Sequence, residues 1–303
     1  MSNKAETNKV NLADPAAVAQ AMTGNAAPPA EPMVTETVPS AGMTAALVRR
    51  PVCVVRLGRG RLGGSTLMDL YIQRARFQGR RVKPLDGDLR SRTLASLYPT
   101  QARDGSLILD GASVPRSEEM RDYKSWMEEE FRLMVEEGVS RVIDLGGGER
   151  VMQEFVRTFP LSRYCDSYGV DLLPIFMLGP DIEDLHHVVQ VMRAGAVKSS
   201  RMLLVMNEGV IRSGQTTDGI FAGVTKHPDF LALLDEGAKS VFLRKLDCLD
   251  VLRERRFGFY DAAYGRPDPS GDMAGPVLEF LTRIWLEDHE ADQQTEGSAV
   301  WLP

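Results

Sequence analysis

The stretch Arg56–Thr66, "RLGRGRLGGST", decides how this chain is read. It follows an apolar run, "PVCVV" (51–55), and precedes a helical pattern, "LMDLYIQRARFQG" (67–79). Strand, glycine-rich loop and helix in that order form a cradle for phosphate. Small residues let backbone N–H groups converge, and the helix N-terminus adds positive potential. The usual phosphate-loop spacing is G-x-x-x-x-G-K-[ST]. Gly58, Gly63 and Ser65 fall on that spacing, but the lysine position holds Gly64.

Working outward, the pattern alternates between strand and helix. "VCVVRL" (52–57) leads to a helix over 65–78, with Gly79 as its stop. "RRVKPLDGD" (80–88) reads as a second strand ending in acids, and 100–114 as a turn-rich excursion. Ser117 is the expected N-cap of a helix that ends at Gly138. "RVIDL" (141–145) is a strand, followed by "GGG" and a helix over 149–158. Strands are expected within 168–179, 201–207 and 239–246. Helices are expected over 180–195, capped by Asp181, and over 247–256 and 274–290. Continuous apolar strands alternating with helices predict an α/β fold: a doubly wound, mostly parallel sheet with helices on both faces. The predicted boundaries are a disordered tail over 1–46, a domain over 47–292 and a flexible tail over 293–303. The first tail is rich in Ala, Pro, Thr and Glu. Within it, Asp14, Pro15 and Gly24 mark a short helix that would be marginal alone.

At 303 residues, 43% hydrophobic and 26% charged, the composition is that of an ordinary globular protein. No apolar run approaches the roughly 20 residues of a membrane-spanning helix, and no signal-peptide pattern opens the chain. Cys53, Cys165 and Cys248 are scattered, which argues against a disulfide framework or a zinc ribbon. A cytoplasmic location is expected. The net charge is -6, yet residues 49–92 hold twelve Arg or Lys against three acids. That excess suggests a basic face for nucleotide or nucleic acid if the side chains share one side. His186 and His187 are adjacent and face different directions. With no partner one turn away, they argue against a metal site.

In a parallel sheet, ligands bind at the carboxyl ends of the strands. Those ends deliver the 58–66 loop, Asp86 and Asp88, Asp144 with Gly146–Gly148, and Asn207. Taken together, "GRGRLGGST", "LDGD", "VIDLGGG" and "LLVMNEG" resemble the ParA/MinD family of P-loop ATPases, whose deviant loop reads GKGGxGK[ST]T. The resemblance spans roughly 50–260. It implies ATP or ADP with magnesium, held by Gly58, Arg59, Gly60, Arg61, Gly63, Gly64, Ser65 and Thr66. It further implies an adenine contact at Asn207, magnesium near Ser65 and Asp144, and a water-positioning acid at Asp88. The family's signature lysine falls at Arg59 and its loop lysine at Gly64. A homodimer acting in plasmid partition, maintenance or conjugative transfer, with DNA or a DNA-binding partner, is what the family implies. The missing lysine implies weak or lost hydrolysis. On this reading Arg59 or Arg61 substitutes from the rim, and Gly64→Lys is expected to tighten ATP binding by about 1.5–3 kcal/mol.

Two alternatives follow. One is a non-catalytic pseudo-ATPase scaffold that binds DNA or a protein. The other is an S-adenosylmethionine-dependent methyltransferase, since "VIDLGGGER" resembles D-L-G-x-G-x-G and Asp171 offers a ribose-binding acid. Against the latter, Arg150 stands at the third glycine and a complete strand–loop–helix unit already precedes this one.

Overall fold

Val52–Leu57 (β1) is buried along its whole length, as a strand covered on both faces must be. It leads through the glycine loop into α1 (Gly64–Phe77), then β2 (Val82–Asp86), α2 (Thr93–Leu97) and α3 (Met120–Glu137). Next come β3 (Ser140–Asp144), α4 (Glu149–Thr158), α5 (Leu161–Ser167), β4 (Asp171–Leu178) and α6 (Ile182–Arg193). After β5 (Leu203–Asn207) follow α7 (Thr217–Ile220), α8 (Ala222–Thr225) and α9 (Pro228–Asp235). The chain closes with β6 (Lys239–Leu243), α10 (Leu249–Glu254), α11 (Phe259–Ala263) and α12 (Pro276–Thr295). The computed structural model describes residues 49–102, 104–146, 149–195, 197–211 and 217–303. The tail over 1–46 and its short helix, and Gly147 and Gly148 of the glycine run, lie outside the described residues.

The six strands form one parallel sheet in the order β2-β3-β1-β4-β5-β6. The fold is the expected doubly wound α/β class. Only the step from β1 to β2 runs one way along the sheet, and every later step runs the other way. Parallel crossovers are right-handed, so the direction of a step decides which face its helix covers. α1 packs on one face with Val52, Val54, Leu173, Ile175, Leu203 and Val205. Helices of the later crossovers pack on the other, where Phe131, Phe155, Leu185 and Phe230 meet Cys53, Val55, Phe176 and Leu204. One crossover helix is too little for the first face. The C-terminal helices complete it through Leu252, Phe259, Trp285 and Leu286.

Two expectations need correction. Ser117 is not the N-cap of α3. Glu119 holds that position, while the Ser117 hydroxyl donates to Asp122 and accepts from the Glu119 N–H. Residues 293–303 are packed, not a loose tail. Gln293, Ser298 and Leu302 are fully buried. Gln293 donates to the Tyr71 hydroxyl at 2.7 Å, and Ser298 donates to the Gln293 side-chain and backbone oxygens. Polar side chains that satisfy one another in this way can be buried.

Candidate phosphate site at the β1 loop

Alternation along β1 puts residues 52, 54 and 56 on the α1 face. Arg56 is the last of these, directly beneath the loop. Its Cα partner in β3 is Asp144, whose partner in β2 is Asp86. Three charged residues thus stand in a row across neighbouring strands at their carboxyl ends, each at most 3% exposed.

Sequence reasoning missed the part played by Arg56, and it is the centre of the site. One guanidinium nitrogen, Nη1, donates to the Gly146 carbonyl and lies 3.7 Å from the Asp144 carboxylate. Nη2 donates to the Arg59 carbonyl at 2.9 Å. Nε is buried and has no hydrogen-bond partner among the described residues. The guanidinium fills the space where a side chain at position 64 would begin: a Cβ built on Gly64 would lie 2.6 Å from Cζ and closer still to Nε. Gly64 and Arg56 therefore go together. The Arg56 guanidinium occupies the space a side chain at 64 would enter. This reverses the sign expected for Gly64→Lys, since a lysine there collides with Arg56.

The rest of the loop is held from outside. Gly58, Arg61 and Gly63 adopt positive φ values of 108°, 67° and 78°. Asn207, at the end of β5, donates its amide N–H to the Leu62 carbonyl at 2.8 Å and accepts from the Gly209 N–H at 2.8 Å. It lies so close to Gly63 that a Cβ there would strike the amide nitrogen. One end of the Asn207 side chain thus holds the loop and the other the turn after β5. The Leu67 N–H to the Gly63 carbonyl is the first backbone bond of α1. The N–H groups of Gly64, Ser65 and Thr66 lack intrahelical acceptors, as the first turn of any helix does.

The Ser65 hydroxyl donates to Asp144 Oδ2 at 2.5 Å, and Asp144 Oδ1 accepts from the Gly146 N–H at 2.9 Å. Asp86 accepts from the N–H groups of Asp88 and Ala95. Burial raises its pKa above the ordinary carboxylate value; those bonds oppose the rise, and Asp144 and Asp88 add to it. Asp88 is half-buried, accepts from the N–H groups of Arg90 and Ser91, and lies against Gly146. The structure therefore gathers Ser65, Asp86, Asp88 and Asp144 at one edge with the loop.

Arg59 turns away from the cradle. It donates to Asp184 of α6 at 3.1 Å and lies 4.0 Å from Asp181. Gly60 and Arg61 are exposed, and Arg61 has no ion-pair partner among the described residues. Much of the 49–92 basic excess is used internally. Arg49 and Arg80 bond the Leu302 carbonyl, Arg50 and Arg74 pair with Asp171 and Glu290, and Arg76 and Lys83 bond the Asp110 and Leu109 carbonyls. Asp171, the ribose acid of the methyltransferase alternative, opens β4 at the amino edge and pairs with Arg201 at 2.5 Å. It stands at the opposite end of the strands from the loop. No helix among the described residues is long and apolar enough to cross a membrane.

No protein-family model and no curated protein matches this chain. Solved structures resemble it in fold. The MinC:MinD cell division protein complex of Aquifex aeolicus matches at 12% identity over 78% of this chain and 96% of that one, TM-score 0.47. Apo McdA of Cyanthece matches at 10% over 78% and 98%, TM-score 0.41. A nucleotide-binding protein of Archaeoglobus fulgidus in complex with ADP matches at 13% over 66% and 83%, TM-score 0.37. Likeness at this level assigns no residue a role, so the site stands on its own geometry.

Proposed function

We propose that this is a ParA/MinD-like nucleotide-binding protein whose β1 loop holds the phosphates of ATP or ADP. The observation that carries the reading is the buried guanidinium of Arg56, whose Nε has no partner among the described residues, inside a glycine cradle at a helix N-terminus. A permanent charge held there without full neutralisation suits an anion. The Ser65 hydroxyl and the Asp144 carboxylate, already in contact, fit magnesium, which would neutralise phosphate charge. Asp88 is the acid placed to orient a water. Hydrolysis is slow or absent on this reading. Arg56 is fixed by Gly146, Arg59 and Asp144, so it serves bound phosphate without following the charge that develops in the transition state. Arg61 is the rim cation free to reach phosphate across a homodimer interface. A role in plasmid partition, maintenance or conjugative transfer, with DNA or a DNA-binding partner, rests on the family resemblance alone.

The test is a titration of the full chain with magnesium and ATP, ADP or S-adenosylmethionine beside a turnover assay. ATP and ADP are expected to bind, with little turnover. Arg56→Ser is expected to weaken binding by about 1.5–3 kcal/mol, the worth of a charged hydrogen bond. Gly64→Lys alone is expected to weaken it too, and the double variant Arg56→Ser/Gly64→Lys to recover most of the loss. Saturable S-adenosylmethionine binding with no nucleotide binding would overturn the proposal. Nucleotide binding with no turnover at all would favour the scaffold form of the same reading.

A further inference from the structure

A second group of ligating side chains lies on the helices that cover the other face of the sheet. His186 sits midway along α6. His227 is the N-cap of α9, and Asp229 lies in the first turn of that helix. The ligating atoms of all three fall within 4.8 Å of one another. His186 and Asp229 border a cleft of about 230 Å³ that Val189, Gln190 and Arg193 also line. Local pattern could not reveal this cluster, because His227 and Asp229 come from a different helix.

Chemistry at His227 makes the cluster more than a coincidence of polar residues. Its Nδ1 accepts from the Asp229 N–H at 3.2 Å, so that nitrogen carries a lone pair. The same Nδ1 lies 3.8 Å from Asp229 Oδ2. The one lone pair of Nδ1 and the Asp229 carboxylate lie side by side, and a metal that takes that lone pair replaces the Asp229 N–H bond. In tetrahedral coordination, with bonds of about 2.0–2.2 Å, two such ligands stand about 3.4 Å apart, so a metal ion fits between them once the Asp229 N–H bond is given up. The rings of His186 and His227 meet edge to face at 5.5 Å between centroids. His186 Nδ1 lies 3.5 Å from Glu183, which can hold that nitrogen's proton and leave Nε2 as the ligating atom. Arg193 lies 3.9 Å from Asp229 Oδ1, leaving Oδ2 for a metal.

We infer that His186, His227 and Asp229 bind one divalent transition-metal ion of zinc's class, with a fourth position open to the cleft. Two imidazoles and one carboxylate suit zinc, cobalt or nickel and disfavour magnesium, which takes oxygen ligands. The ion ties α6 to α9 independently of any nucleotide at the β1 loop.

The experiment uses the full chain without a histidine tag. All four histidines of the chain lie among the described residues, so no other histidine competes from outside them. Cobalt is titrated and followed by visible absorption, and zinc by displacing the cobalt. One equivalent is expected to bind, with the absorption of a four-coordinate ion and a rise in thermal midpoint. His186→Gln and His227→Gln are each expected to cost more than the about 10- to 100-fold that changes around a metal's ligands cost, and the pair to abolish binding. Nucleotide affinity should not change in these variants. Absence of saturable binding at micromolar metal would overturn the inference. So would binding that survives intact in the double variant, which would place the ion elsewhere.

Discussion

Two arginines are buried in neighbouring strands of this sheet, at opposite ends. Arg141 lies near the amino end of β3 and Arg56 near the carboxyl end of β1. Both are at most 3% exposed, and neither can shed its proton. Arg141 is fully matched. Nε donates to Glu130 at 3.2 Å, Nη1 to the Val139 carbonyl at 2.9 Å and Nη2 to Glu137 at 2.9 Å. Arg56 is matched only in part. Among the described residues its Nε has no partner, and its only carboxylate, Asp144, is 3.7 Å away and engaged by Ser65 and Gly146. A closed set of partners is what a structural ion needs. An incomplete set at the carboxyl edge, under a glycine loop, is what a ligand-binding ion needs.

The comparison predicts opposite consequences for one substitution. Arg141→Met should have the largest effect on stability, because it leaves Glu130 buried without its cation. Breaking a buried pair in this way costs about 3–5 kcal/mol, read as a fall in the urea midpoint, with nucleotide affinity unchanged. Arg56→Met should cost far less stability, since the charge it removes was never fully neutralised. Its effect should fall on affinity, about 1.5–3 kcal/mol. Equal stability losses for the two variants, with affinity untouched in both, would end the distinction.

A smaller effect is expected at Asn207, which acts on the site by holding Leu62 and the turn at Gly209. Asn207→Ala should cost about 1 kcal/mol of stability, the typical worth of a cap. Affinity should fall only a few-fold, and Asn207→Asp should restore the Gly209 bond without the one to Leu62. If Asn207→Ala weakens nucleotide as much as Arg56→Met, the side chain touches the ligand as well as the loop.

Much of this was legible in the sequence. The βα alternation, the glycine loop and the acids at strand ends all follow local rules. The order of strands was not, because placing β3 between β2 and β1 depends on packing across the whole sheet. Arg56 was overlooked for a definite reason: it reads as the polar last residue of a strand. The available signal was the alternation 52, 54, 56 on the helix side, coupled to a glycine where the loop expects lysine. The C-terminal residues misled by composition, since "DQQTEGS" looks solvated, yet Gln293 and Ser298 pair inside. His186 and His227 are joined only by tertiary packing, which no local period reveals.

His289 completes the comparison, being a third buried basic group and one that can give up its charge. It lies on α12, 1% exposed, between Tyr71 and Trp285. Its Nδ1 lies 3.2 Å from the Phe242 carbonyl and its Nε2 lies 3.4 Å from the Gln293 amide nitrogen. The matching tautomer donates from Nδ1 and accepts at Nε2. A second proton would set two donors face to face. Burial lowers the pKa below the ordinary imidazole value. The Phe242 bond and the charges of Glu290 and Asp292 oppose that fall, and Arg74 adds to it. In the window below the ordinary value the unfolded chain holds a proton that the folded chain refuses, so stability there rises with pH. Its contribution is complete above the ordinary imidazole pKa and is lost as pH falls through that window. One such group gives a slope of at most about 1.4 kcal/mol per pH unit. His289→Gln should keep the bond to Gln293 and flatten that acid limb in urea midpoints measured from neutral pH downward. An unchanged limb would mean that the neutral imidazole is not what protects the C-terminal helix from acid, and that His289 behaves more like the fully paired Arg141.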